Sequence, residues 1–145
     1  MFFLSLYWLL TPALWVLLPL IAIINPKVRH HWLHEKKTWT LAQEIIQQNG
    51  QSKTVVLFHA ASTGEFEQLQ SILQRIDRSQ YFILLSFFSP TVFKKEKKTP
   101  LADAVCYHPF DFPWSSWIFF RRLQIKYYII TRNDIWPTHL FIAKL

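Results

Sequence analysis

The stretch TVVLFHAASTGEFEQ, residues 54–68, decides the fold. Its first part, 54–59, is an apolar run rich in β-branched and aromatic residues, with no alternation of polar positions. That pattern predicts a strand buried on both faces, as in a parallel sheet. Small polar residues follow, and then Phe66, Leu69, Ile72, Leu73 and Ile76 fall on one apolar face of a helix. Strand, turn and helix in that order are half of a βα repeat.

Working outward, three more runs of the same kind occur at 81–86, 104–108 and 127–131. Helical patterns occupy 114–123 and 137–144, with Pro137 suited to a first helical turn. A helix over 38–48, closed by Asn49-Gly50, leads into the first strand. The expected fold class is α/β: a Rossmann-like parallel sheet with right-handed crossovers. In such a sheet the turns after the strands share one edge, where open α/β folds bind ligands. That edge collects His59, Ser62, Glu65, Ser89, Thr91, His108, Asp111, Arg132, Asn133 and Asp134.

Composition narrows the chemistry. The chain has 145 residues and is 51% hydrophobic, which suits one folded domain and excludes disorder. Its two glycines, Gly50 and Gly64, exclude a glycine-rich phosphate loop. A single cysteine, Cys106, in an apolar run, excludes an internal disulfide and a multi-cysteine zinc site. The net charge of +7 favours an anionic partner. The aromatics lie in the strands and the N-terminal segment, so nucleic acid is not expected as that partner. No metal and no cofactor are expected.

Residues 1–25 carry no charged side chain and are long enough to cross a bilayer core. Pro12 and Pro19 are compatible with a membrane helix, and a bent helix within one leaflet is equally open. The flank PKVRHHWLHEKK mixes Trp32 and His30, His31 and His34 with Lys and Arg, as at a headgroup boundary. The expected division is an anchor helix over 1–26, a basic juxtamembrane and linking segment over 27–53, and the α/β domain over 54–145. The positive flank places that domain on the cytoplasmic side. The run KKEKK, residues 94–98, reads as a solvated loop.

Glu65 supports two readings. Ser62-Thr63-Gly64-Glu65 is an S-x-x-E capping box, which starts a helix and needs no other function. The same carboxylate at the mouth of a sheet is placed to act as a base. The free N–H groups of that helix start can also hold a phosphate, with room provided at Thr63 and Gly64. Spacing alone leaves these open.

Four motifs in order carry a resemblance: His59-Ala60-Ala61-Ser62-Thr63-Gly64-Glu65, Ser89-Pro90-Thr91, Pro109-Phe110-Asp111-Phe112-Pro113 and Asp134-Ile135-Trp136-Pro137. With the apolar N-terminal segment, they resemble the N-terminal domain of the 3-deoxy-D-manno-octulosonic acid (Kdo) transferases of lipopolysaccharide synthesis. The resemblance implies the N-terminal half of a GT-B glycosyltransferase. It implies Kdo transfer from CMP-Kdo to a lipid A precursor, with inversion at the anomeric carbon. By resemblance Glu65 is the catalytic base, and Ser62, Thr63, Gly64, Ser89, Thr91, Asp111, Arg132 and Asp134 contact substrate. Arg132 stands where the family pattern carries a second acid. The run FIAKL stops inside an expected helix, so the α/β domain is expected to be incomplete, with CMP-Kdo held by a separate C-terminal half. The alternative is a non-catalytic, membrane-anchored binding module, or a decayed fragment, of the same family.

Overall fold

The computed structural model describes residues 2–131 and 135–145, with side chains from residue 5 onward. Four parallel strands, β1 (Thr54–Ala60), β2 (Tyr81–Phe87), β3 (Ala104–Tyr107) and β4 (Tyr127–Ile130), form a sheet of order β3-β2-β1-β4. Thr54 pairs with Tyr81, Leu84 with Ala104 and Val56 with Tyr127. The expected α/β class and parallel sheet are what the chain forms.

Among the described residues there are six helices, α1 (Phe2–Ile24), α2 (Pro26–Asn49), α3 (Thr63–Leu73), α4 (Pro90–Glu96), α5 (Pro113–Arg122) and α6 (Pro137–Lys144), and all but α1 pack on the sheet. Strand side chains alternate between two cores. Val55, Leu57, Phe82, Leu84 and Cys106 face Trp39 and Ile46 of α2, Phe119 of α5 and Ile142 of α6. Val56, Phe58, Ile83, Leu85 and Phe87 face Phe66, Leu69 and Leu73 of α3 and Val92 of α4. Apolar cover on both sides is why β1 and β2 read as unbroken apolar runs.

β4 departs from that reading. It is an edge strand paired with β1, and Tyr127 and Ile129 are exposed on the α3 side, where no described helix covers them. Part of the basic flank is also built into the fold. Asn25 accepts from the Lys27 and Val28 N–H groups and starts α2 with Pro26 in its first turn. The helix therefore runs from Pro26, and His31 and Glu35 are buried in it. The run 94–98 is not wholly loop, because Lys94 and Lys95 form the last turn of α4. Gly50 caps α2 at φ −111°, so the left-handed conformation is not its reason. A Cβ there would lie 2.9 Å from the Ile46 carbonyl oxygen and 2.9 Å from a Phe82 ring carbon.

α1 folds back at Asn25 and docks along its length. Trp8, Thr11, Trp15, Leu18 and Ala22 recur at intervals of three and four and mark the docked face. The Trp8 indole N–H donates to the Thr138 hydroxyl at 3.0 Å, and its ring meets Phe141 edge-on. Trp15 meets Trp114 edge-on, while Thr11, Leu18 and Ala22 are buried.

Candidate active site

The order β3-β2-β1-β4 places the topological switch point between β1 and β4. Chain connections leave in opposite directions there, which opens a crevice at the carboxyl ends of the strands. The turn after β1 occupies one lip. Ser62 is the N-cap of α3, and its Oγ accepts from the Glu65 N–H at 3.3 Å. Half of the expected capping box is present. The other half is shifted by one residue: Glu65 Oε2 accepts from the Ala61 N–H at 2.7 Å. The carboxylate is thus tied to the strand end.

The opposite lip supplies Thr131, which sequence reasoning missed. Its hydroxyl lies 3.0 Å from the His59 carbonyl oxygen and 3.3 Å from Glu65 Oε2, so one proton serves two acceptors. A polar residue directly after a strand at the switch point was the available signal. Glu65 is half-buried, with an amide and a hydroxyl fixing one oxygen. Beside it, a Cβ on Gly64 would meet nothing within 4 Å. Neither its φ nor a close neighbour calls for glycine there. The space over the α3 N-terminus is open to a group approaching the backbone.

The other expected site residues separate. Thr63 opens α3 beside Gly64. Ser89, at the N-cap of α4, faces a small hollow with Lys27, His31 and Phe110. Thr91 lines a larger cleft of about 750 Å³ with Lys27, Arg29, His30 and Lys94. No described carboxylate pairs with Lys27, Arg29 or Lys94 there. Burial, then the positive neighbours His34, Lys94 and His31, hold the His30 imidazole below its ordinary pKa. Asp111 is buried: its oxygens accept from the His139 N–H at 3.0 Å and the Thr138 N–H at 3.3 Å, capping α6. Burial pushes the Asp111 carboxyl up, opposed by hydrogen bonds from Tyr7, Thr138 and His139. Arg132 and Asp134 lie outside the described residues.

Beneath this edge the strand faces carry a buried polar layer. His59 Nδ1 lies 3.1 Å from Ser86 Oγ, and Ser86 Oγ lies 3.0 Å from His108 Nδ1. His108 Nε2 lies 3.0 Å from His139 Nδ1 and 2.9 Å from the Tyr128 hydroxyl. Burial first, then His59, His139 and His31, holds His108 well below its ordinary pKa. Both ring nitrogens of buried His31 reach carbonyl oxygens, Phe88 and His108, at 2.8 Å each. Glu35 Oε2 lies 3.4 Å from His31 Nε2, so the ring is held from both sides of the helix turn. Of the flank's three histidines, His31 is thus part of the core, while His34 stays exposed.

Comparison with known proteins agrees with this geometry. Residues 33–145 match the family model described as 3-Deoxy-D-manno-octulosonic-acid transferase (kdotransferase). The 3-deoxy-D-manno-octulosonic acid transferase of Aquifex aeolicus (strain VF5) is 32% identical over 95 residues, which cover 64% of this chain. The chain spans 26% of that relative's length. With an α/β fold, a capped glutamate at the switch point and a family match across most of its length, the chain belongs to the 3-deoxy-D-manno-octulosonic-acid transferase family.

Proposed function

We propose that this chain is the acceptor-binding, N-terminal portion of a glycosyltransferase that moves Kdo from CMP-Kdo to a lipid A precursor. The observation that carries the reading is the Glu65 carboxylate, held by the Ala61 N–H and the Thr131 hydroxyl beside the open backbone at Gly64. Glu65 removes the proton from the acceptor hydroxyl as that oxygen attacks the anomeric carbon of Kdo. The new C–O bond forms as the bond to CMP breaks, and CMP leaves with the bonding electrons. Attack from the face opposite the leaving group inverts the centre. Ser62, Thr63 and Gly64 face the reacting sugar, and Thr131 keeps the base aimed. Ser89, Thr91 and the basic cleft take the acceptor's phosphates, because cations with no carboxylate partner among the described residues are complementary to a phosphoglycolipid. Asp111 holds the start of α6, and by family resemblance Asp111, Arg132 and Asp134 are further contacts to the acceptor.

In this reading CMP-Kdo is held by a second, GT-B half, and α1 and α2 keep residues 54–145 on the cytoplasmic face of an inner membrane. Membranes containing this chain are given CMP-Kdo and tetraacylated lipid A precursor, with and without a polypeptide carrying the donor half. Kdo-modified lipid A precursor, detected by mass spectrometry only when both halves are present, is the expected result. Acceptor binding without transfer in any combination contradicts the catalytic reading and leaves a binding module.

A further inference from the structure

We infer that α1 lies flat in one leaflet of an anionic bilayer, with both of its ends on the side of the α/β domain, and does not cross the membrane. The inference rests on the membrane association proposed above and is independent of the transferase chemistry.

By length and composition α1 qualifies as a span: residues Ser5–Ile24 have a mean hydropathy of 2.1. Its contacts are those of a helix lying along a protein surface. Near its start, Trp8 is joined to Thr138 and Phe141 of α6. Near its end, Leu18 and Ala22 are buried. From Trp8 to Ala22 the axis covers about 21 Å at 1.5 Å per residue, with docked residues throughout. A helix crossing the bilayer carries one end about 30 Å from the domain that holds the other. That separation breaks the Trp8–Thr138 hydrogen bond and strips Thr11, which is 1% exposed here, of its cover.

The opposite face of α1 has no cover from this chain. Leu9 is 75% exposed, Val16 63% and Ile24 85%, and Leu10, Leu17, Leu20 and Ile23 extend the same surface. A helix apolar all round, docked on one side, needs an apolar environment on the other. The rim is that of a helix at a lipid interface. Trp15 and Leu18 share a hollow with Trp32 and Lys36 of α2 and Trp114 and Ile118 of α5. One turn further along α5, Arg121 sits 4.6 Å over the Trp117 ring. At the α1–α2 elbow are Lys27 and Arg29, without a carboxylate partner among the described residues. Aromatic and cationic side chains bordering an apolar face fit the headgroup level of an anionic leaflet.

The test places one protease-sensitive epitope before Met1 and a second in the exposed turn at Gln51, in the full chain in inner-membrane vesicles. The flat arrangement predicts that both are cut in inverted vesicles and that both are protected in right-side-out ones. Cleavage of the two from opposite faces overturns it. A second readout attaches an environment-sensitive fluorophore to Leu9→Cys, Val16→Cys or Ile23→Cys, on vesicles of phosphatidylethanolamine and phosphatidylglycerol. Cys106 is fully buried and does not compete. Equal blue shifts at the three positions are expected. A deep maximum at Val16 with shallow ends overturns the proposal, as does a chain that stays in the aqueous phase or hides these positions in a dimer. Loss of Kdo transfer with the flat topology intact refutes the transferase reading alone.

Discussion

His108 gives the fold a calculable sensitivity to acid. Its ring is buried among His59, His139, His31, Ser86 and Tyr128, and its pKa lies well below the ordinary 6.5. The unfolded chain has no such burial, so its imidazole titrates near 6.5. A group with a depressed folded pKa and a charged acid form stabilises the fold fully above the unfolded pKa. That stability is lost as pH falls through 6.5, because the unfolded state binds the proton first. Between pH 7.5 and 5.5 the unfolded ring goes from about one-tenth to about nine-tenths protonated, so the loss is at most about 1.4 kcal/mol, reached when the native ring takes up no proton. With a urea slope near 2 kcal/mol per molar, the unfolding midpoint drops by up to about 0.7 M. His30 adds a smaller effect of the same sign. Asp111, held up by burial, has the opposite sign and acts at lower pH, around the carboxylate range. The assay is urea unfolding in micelles at both pH values, for the wild type and for His108→Asn. The variant is less stable overall, but it loses the acid-dependent shift. A wild-type midpoint unchanged between the two pH values, or an undiminished shift in His108→Asn, refutes the reasoning.

Gly64→Ala puts a methyl into open space, so thermal unfolding should show unchanged stability or a gain of up to about 0.5 kcal/mol, while Kdo transfer falls at least tenfold. Thr131→Val keeps the shape but removes the hydroxyl from Glu65; the expectation is a tenfold loss in kcat with KM for the acceptor within about twofold, measured by steady-state kinetics. Gly50→Ala forces a methyl against the Ile46 carbonyl and Phe82, and denaturant titration should show a loss of about 1–3 kcal/mol. Glu35→Gln removes a buried carboxylate from beside His31, so the same titration should show a loss of about 1–3 kcal/mol, and a neutral result would mean that the contact contributes nothing to the fold.

The strands were legible because burial on both faces leaves an unbroken apolar signature, as in 54–59 and 81–86. β4 has the same signature but, among the described residues, cover on one side only, and cover is a tertiary fact that a strand's own residues do not carry. The start of α2 was hidden by its charge. His31 and Glu35 look like surface residues until the Phe88 and His108 carbonyls, far along the chain, are brought against them. The lysine run concealed α4 in the same way. In the site, Ser62, Gly64 and Glu65 were readable because a cap and a catalytic turn need the same residue types at the same spacing. Thr131 was not, since only the pairing of β4 with β1 brings it to Glu65. His59 and His108 were recognised as strand-end groups, but His139 joins them from a helix through a contact that no local spacing reports. For α1, composition gave an apolar helix of spanning length; the docked face is visible as the recurrence of Trp8, Thr11, Trp15, Leu18 and Ala22, masked by apolar residues on every other side.

The central claim is that Glu65 is a base as well as a helix cap. Glu65→Gln separates the two, because the amide oxygen can still accept from the Ala61 N–H while the side chain can no longer take a proton. Transfer from CMP-Kdo and the unfolding midpoint should be measured on the same preparation, with the donor half supplied. The expected result is an unfolding midpoint within about 0.5 kcal/mol of wild type and transfer reduced by about 10²–10⁴-fold, the usual range for loss of a general base. Transfer that survives within a few-fold would contradict it and leave Glu65 as the residue that starts α3 and nothing more.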